Sequence, residues 1–360
     1  MNILVVGNGF TRLELPDGHY VNHHTAKFLV DLAASGREVT LAQSVQNLPS
    51  QAGLNNARLP EDQVRSLDLN KRSPAALWRA LRETIAADFV YLFYPGRWPH
   101  LLGTIRRWLG RPYGLYVRGE RFENGGSAAK LFKAAKLICA ETGLDDRLAP
   151  HNPNVVAIAP MLDMTAQDVT APDFSNIAES PLRVLFVGRI EEAKGIQELI
   201  DAAHLLKARR FDFTMRLVGG GPLYGDLVNS LQQPGAPDIA MCGLVADKAE
   251  LMAHYTWADV LILPSHHEGF PRVLFEGMLK SCVIVTTMVG GIPSLMKDGI
   301  NCRALPLRDP VAIADILEAL PRDPAFLLAL ANAGRETVLE ILQTRPTQID
   351  AVNKVLNARN

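Results

Sequence analysis

The chain has 360 residues, 48% hydrophobic and 21% charged, with a net charge of -1; this is enough for two domains with a core each and excludes a largely disordered chain. The near-neutral balance gives no overall attraction to nucleic acid, and none is expected as a partner. Four scattered cysteines, Cys139, Cys242, Cys282 and Cys302, form no CxxC and no Cys/His cluster, so they suggest neither zinc nor a disulfide framework and fit a reducing cytoplasm.

Met1-Asn2-Ile3-Leu4-Val5-Val6-Gly7 reads at once as a buried strand with no basic leader region. It ends in Gly7-Asn8-Gly9-Phe10, a glycine turn that does not complete GxGxxG. A helix follows over about 22–35, with Phe28, Leu29 and Leu32 on one face and a stop at Gly36. Val39-Thr40-Leu41 is the second strand, and polar residues 46–73 form a long surface connection. Leu77, Leu81 and Ile85 mark a helix and 89–93 a strand. A helix over 101–109 and strands at 114–117, 136–139 and 155–158 complete the first half. Such alternation gives a parallel sheet covered on both faces. Residues 71–136 hold thirteen Lys/Arg against four acids, with Trp98, Trp108 and Leu109 among them. That mixture suits either solvated helix faces or peripheral contact with the anionic inner membrane. No apolar run approaches the ~18 residues that span a bilayer.

From about 163 to 181 the chain turns acidic and polar, with two prolines and little apolar period, as a linker would. The expected division is a domain over 1–165, a linker over 166–181, a second domain over 182–335 and a helical tail over 336–360 that returns to the first domain. The second half repeats strands that end in glycine: 182–187 before Gly188-Arg189, 214–218 before Gly219-Gly220-Gly221, and 239–242 before Gly243. Lys194 stands near a helix start, where a cation opposes the macrodipole, and Gly195 keeps that place open to an anion. Strand 259–263 leads into Pro264-Ser265-His266-His267-Glu268-Gly269-Phe270-Pro271, then a helix carrying Glu276, eight residues after Glu268. Pro271 suits the first helical position. Loops of this kind sit at the carboxyl ends of parallel strands, where open α/β sheets place ligands. Adjacent histidines on extended chain point to opposite faces, so His266 and His267 cannot chelate together, and no metal is expected.

The string Pro-Ser…Glu-Gly-Phe-Pro…Leu…Glu over 264–276, with Gly188-Arg189…Lys194-Gly195 before it, resembles the signature of retaining GT-B glycosyltransferases, family 4 in particular. The resemblance covers about 183–299 well and the first half in outline. It implies an α/β, GT-B fold of two Rossmann-like domains facing a central cleft. It also implies a metal-independent, cofactor-free hexosyl transfer from a UDP- or GDP-sugar to a glycan or lipid-linked glycan, as in bacterial surface polysaccharide synthesis. Arg189 and Lys194 would grip the donor diphosphate, Glu276 would accept from the ribose hydroxyls, and Glu268, Gly269, Phe270 and Pro271 would hold the sugar. Gly188, Gly219, Gly220 and Gly243 would lie near the nucleotide, and Gly7, Gly9 and Gly18 would face the diphosphate from the first domain, if they are not simple turn glycines. Arg118 stands where many members have a histidine and would bind an anionic feature of acceptor or donor; the alternative is an ion pair with Glu120 or Glu123. For Glu276 the alternative is a surface partner for Arg272, four residues earlier. The chain departs from the family in Glu276-Gly277-Met278-Leu279-Lys280-Ser281 and in Ser294, where an acid is common. A non-catalytic nucleotide-sugar binder and a nucleotide-sugar epimerase of the same fold are the rival readings.

Overall fold

The computed structural model describes residues 1–14, 18–47, 57–69, 74–118 and 126–358. They form two compact units: Met1–Ala159 with Arg345–Asn360, and Pro160–Thr344.

The first unit holds strands β1 (Asn2–Glu14), β2 (Gly18–Val21), β3 (Glu38–Asn47), β4 (Ala57–Arg58), β5 (Val64–Asp68), β6 (Phe89–Tyr94), β7 (Tyr113–Val117), β8 (Leu137–Ala140) and β9 (Val155–Ala157). Between them run α1 (His23–Ala33), α2 (Pro74–Ala86), α3 (Arg97–Trp108), α4 (Gly126–Ala134) and the short α5 (Asp145–Leu148). Parallel pairing gives the order β5-β3-β1-β6-β7-β8-β9. The sheet therefore changes direction between β1 and β6. Strands β6, β7 and β8 are buried throughout, as a sheet covered on both faces requires. Asn22 caps α1 by accepting from the His24 amide.

Two expectations change here. β1 does not end at Gly7 in a glycine turn: it shifts register against β3 between Val6 and Phe10 and runs on to Glu14, pairing antiparallel with β2. Gly9 is thus a residue of a bulged strand, and Gly18, at φ +108°, opens the returning strand of a hairpin. The connection over 46–73 is not wholly a surface loop, because β4 pairs with β2 and β5 extends the parallel sheet.

The second unit holds β10 (Leu182–Val187), β11 (Phe213–Val218), β12 (Ile239–Gly243), β13 (Val260–Leu263), β14 (Val283–Thr287) and β15 (Arg303–Leu305), with α6 (Ile196–Ala208), α7 (Tyr224–Leu231), α8 (Lys248–Trp257), α9 (Arg272–Leu279), α10 (Pro310–Ala319) and α11 (Pro324–Thr344). All pairs are parallel and the order is β12-β11-β10-β13-β14-β15. This doubly wound order reverses between β10 and β13, the point at which such sheets bind ligands outside the carboxyl ends of their strands.

The stretch 166–181, expected as a linker, packs within the second unit. Phe174 and Ile177 join its core, Lys280 Nζ and Ser281 Oγ donate to the carbonyls of Asp168 and Thr170, and the Thr170 amide donates to Leu279. Two apolar side chains and a few backbone bonds suffice to dock a segment that has no period of its own. The tail divides at 345 instead of 336: α11 runs unbroken to Thr344, and α12 (Gln348–Asn357) packs on the first unit. Thr347 and Asp350 form a capping box there. Gln348 reaches the buried Tyr91 hydroxyl at 3.1 Å, and Arg37 is held by Asn353 and Asn357.

All four cysteines are free. Burial pushes the thiols of Cys139, Cys282 and Cys302 up to about 12, so they are inert packing groups. No helix among the described residues is long and apolar enough to cross a membrane.

Candidate functional site

The loops after β10 and β13 meet at the reversal point of the second unit. Gly195, at φ +68°, lies so close that a Cβ there would stand 2.1 Å from the Pro264 carbonyl oxygen. Only glycine allows both that backbone and that approach. The His266 amide donates to the Ala193 carbonyl at 2.9 Å, and His266 Nε2 meets Glu198 Oε1, on the first turn of α6, at 3.0 Å. From the other side Thr287 Oγ1 donates to the Ser265 carbonyl at 2.6 Å. The two loops therefore form one braced unit.

That bracing sets the main contact. Lys194 Nζ lies 2.5 Å from Glu268 Oε1, and Ser265 Oγ donates to the same oxygen at 2.8 Å. The Lys194 side chain is 21% exposed and that of Glu268 9%. Both bonds go to Oε1, which leaves Oε2 without a hydrogen bond among the described residues. An ammonium has three donors, so Lys194 keeps two for a ligand. Arg189 does not join this pair: its guanidinium is 68% exposed and meets Glu191 Oε2 at 3.2 Å.

The glycines after β10, β11 and β12 are drawn together by backbone bonds. The Gly188 amide donates to Val218, the Ile190 amide to Gly220, and the Gly219 amide to Gly243. A Cβ on Gly219, at φ +139°, would stand 1.8 Å from the Gly188 carbonyl oxygen, whereas one on Gly220 would meet open space. Gly219 is thus needed for the turn, and Gly220 leaves room beside it. Gly243, at φ +70°, faces the Tyr224 hydroxyl.

Glu276 lies on α9, whose first residue is Arg272; Pro271 is the N-cap, one place before the expected position. The Glu276 side chain does not pair with Arg272, which donates instead to the Met161 carbonyl at 3.3 Å. Its Oε2 accepts from the Tyr255 hydroxyl at 2.5 Å. Burial raises the Glu276 carboxyl above the usual carboxylate range, while the Tyr255 bond and Arg272 pull it back in part. Burial, with Glu276 beside it, pushes the Tyr255 phenol well up, so it remains a donor. Phe270 is buried with its ring centroid 4.7 Å from that of Phe275, and the Gly269 carbonyl accepts from the Gly291 amide.

In the first unit, Arg118 follows β7 and donates through Nη2 to Asn8 Oδ1 at 3.0 Å. Asn8 in turn donates to the Pro95 carbonyl, so the network ties the irregular stretch of β1 between Val6 and Phe10 to the ends of β6 and β7 at that sheet's own reversal point. The guanidinium lies over Tyr116 and Phe93, 5.4 and 5.9 Å from the ring centroids. Glu120 and Glu123, the alternative partners, lie outside the described residues. Gly9 lies over the Gln43 side chain. Gly18 lies over Glu61, which accepts from His19 at 2.7 Å and is held below the usual carboxylate range mainly by that bond.

Sequence reasoning did not single out Tyr255, Ser265 as a brace, or the Glu198–His266 pair. Tyr255 carries no local signal, since an aromatic on a sheet-covering helix reads as core. Ser265 could have been found, three residues before Glu268 in the same loop. No group of three or more His, Cys, Asp or Glu able to hold a metal occurs among the described residues.

Residues 181–323 match the family model for Glycosyl transferases group 1. A stretch of 146 residues is 34% identical to D-inositol 3-phosphate glycosyltransferase of Arthrobacter sp. (strain FB24), covering 39% of this chain and 35% of that one. A stretch of 199 residues is 31% identical to the putative colanic acid biosynthesis glycosyltransferase WcaL of Salmonella typhimurium, covering 52% and 48%. The chain thus spans about a third to a half of the length of these curated relatives. Among solved structures, Anabaena Alr3699/HepE in complex with UDP aligns over 100% of this chain and 99% of its own, with a TM-score of 0.68 at 17% identity.

Proposed function

We propose, from the premise that residues 181–323 form a glycosyl transferases group 1 domain in a chain of GT-B fold, that this protein is a retaining glycosyltransferase. It takes a sugar from a UDP- or GDP-sugar and gives it to a glycan or lipid-linked glycan in the assembly of a bacterial surface polysaccharide. The solved relative bound to UDP supports the donor class, and the colanic acid relative supports the pathway class. The four unpaired cysteines support a cytoplasmic location.

The observation that carries the reading is the Lys194–Glu268 contact at the reversal point of the second sheet. As the bond from the anomeric carbon to the phosphate oxygen breaks, negative charge grows on the diphosphate. Lys194 stands ready to neutralise it, with the exposed cation of Arg189 in the same loop and, as fixed donors, the amides of Arg189, Gly220 and Gly221, which no backbone carbonyl among the described residues takes up. No resident metal is assigned to this step. Glu268, oriented by Lys194 and Ser265, holds sugar hydroxyls through Oε2. Glu276, held by Tyr255, accepts from the ribose through Oε1. The acceptor oxygen bonds to the anomeric carbon on the face the phosphate leaves, and its proton passes to the departing phosphate, so configuration is retained. Arg118 binds an anionic part of the acceptor.

The test is a thermal-shift panel of UDP, GDP, ADP and CMP, followed by donor turnover in the presence of EDTA. One uracil or guanine diphosphate should raise Tm, and the matching nucleotide-sugar should be slowly hydrolysed to the sugar of unchanged anomeric configuration. Binding without any turnover, with or without a glycan acceptor, would leave a non-catalytic binder. No shift with any nucleotide would remove the donor site altogether.

A further inference from the structure

Helix α2 is amphipathic in the inverted sense. It buries the small residues Ala76, Ala80 and Thr84 and leaves Leu77, Trp78 and Ile85 exposed. A surface helix ordinarily turns its bulky apolar stripe to the core, which is how Leu77, Leu81 and Ile85 read in the sequence; here the small face lets the helix sit close on the sheet and sends the large side chains outward. Helix α3, which contacts α2, likewise sends an indole outward. It buries Pro99, Leu102, Gly103 and Arg106 and leaves Leu101 and Trp108 exposed. Trp78 is 66% and Trp108 77% exposed, a large cost in water for two indoles on one helix layer.

The platform is rigid. Arg106, fully buried, donates to the carbonyls of Thr84, Ala87, Asp88 and Pro112, tying the end of α2 to α3. Arg111 Nη1 donates to the Ile85 carbonyl at 2.6 Å. Trp78, Leu81, Arg82, Ile85 and Arg111 line one open groove of about 330 Å³. Within α2, α3 and α4 the charges of the described residues are positive but for one. Arg79, Arg82 and Arg97 are exposed on α2 and α3, and Lys130 and Lys133 on α4, which packs beside α3. Glu83 is the acid within these three helices, and it is met by Arg65 and Arg82.

We propose that the α2–α3 face docks on an anionic phospholipid surface, with Trp78 and Trp108 at headgroup depth and the arginines on lipid phosphates. Indole rings prefer the boundary between headgroups and acyl chains, and a surface lined with arginine gains from a leaflet of negative potential. The complement of such a surface is an extended sheet of negative charge over an apolar layer, which a bilayer supplies. This docking stands independently of the glycosyltransfer reading.

The full chain is sedimented with vesicles of phosphatidylcholine alone and of phosphatidylcholine mixed with phosphatidylglycerol, at low and high salt, while tryptophan emission is followed. Binding should require phosphatidylglycerol, weaken as salt screens the charges, and shift the emission to the blue. The Trp78→Ser/Trp108→Ser variant should lose both signals while keeping wild-type Tm, and Arg79→Glu/Arg82→Glu should weaken binding by about tenfold or more. Absence of binding at low salt would overturn the proposal, as would sedimentation of the double tryptophan variant equal to wild type. A self-association that the tryptophan variant abolishes, without vesicle binding, would overturn it in favour of a second copy of the chain. Nucleotide-induced thermal shifts of both variants should match wild type, so the lipid result is separable from the donor site.

Discussion

The Tyr255 hydroxyl lies 2.5 Å from Glu276 Oε2. The tyrosine is fully buried on α8, so the phenol is a fixed donor that holds the α9 carboxylate in one rotamer. Burial works against the charge of Glu276 and the phenol works for it. A carboxylate poised in this way is suited to a ligand that brings hydroxyl donors.

Because the Glu276 carboxyl is raised above its unfolded value, the fold favours its protonated form. That contribution is full below the unfolded pKa and is lost as pH rises through the folded one. Glu276→Gln removes the charge and keeps an acceptor for Tyr255. Its Tm at pH 7 should exceed wild type, with the gap closing in acid, while nucleotide affinity falls. Tyr255→Phe should raise the Glu276 carboxyl further and weaken nucleotide binding most at the acid end. A Glu276→Gln profile parallel to wild type across pH would refute the linkage.

Lys194→Ala should lower transfer by about 10²–10³-fold, the usual effect of removing one donor from a developing anion. It also strands the Glu268 carboxylate, so stability should fall by about 1–2 kcal/mol, and Lys194→Ala/Glu268→Ala should recover part of this. Glu268→Gln should reduce transfer with little change in nucleotide affinity. Equal effects of Glu268→Gln and Glu276→Gln on nucleotide binding would show that the two carboxylates do not divide the donor between sugar and ribose.

Gly219 and Gly220 are neighbours with opposite expectations. Gly219→Ala forces a side chain onto the Gly188 carbonyl at positive φ and should destabilise by about 2 kcal/mol or more. Gly220→Ala meets no protein atom and should leave Tm within about 2 °C of wild type. Weakened nucleotide affinity in Gly220→Ala alone would place the ligand against this loop; unchanged affinity would place it elsewhere. Chemical denaturation and calorimetric titration separate the two outcomes.

Arg118→Lys keeps the charge but not the planar fork that lies over Tyr116 and donates to Asn8. Transfer to the true acceptor should fall about tenfold or more, as expected for loss of a charge-assisted bidentate contact, with nucleotide affinity near wild type. Transfer unchanged in Arg118→Ala would assign the residue to bracing Asn8 within β1.

The sequence by itself determined the parts whose signal is local. The apolar run at 259–263, the glycines after the first three strands of the second half and the order of residues over 264–276 fixed strand, loop and helix, because buried parallel strands and tight turns admit few residue types. The same locality explains the misses. Gly7-Asn8-Gly9 reads as a turn, yet the hydrogen bonds of β3 and β2 carry the strand onward. The stretch 166–181 reads as a linker, yet Phe174 and Ile177 find a core. Helix α2 was legible in Leu77, Leu81 and Ile85, but which side faces the sheet depended on how closely the helix must approach, and small residues won. The contacts that give the candidate site its chemistry join Lys194 to Glu268 and Tyr255 to Glu276 across different loops and helices. No periodicity encodes such a pairing; the strand order of the sheet decides it, by bringing the ends of β10 and β13 side by side.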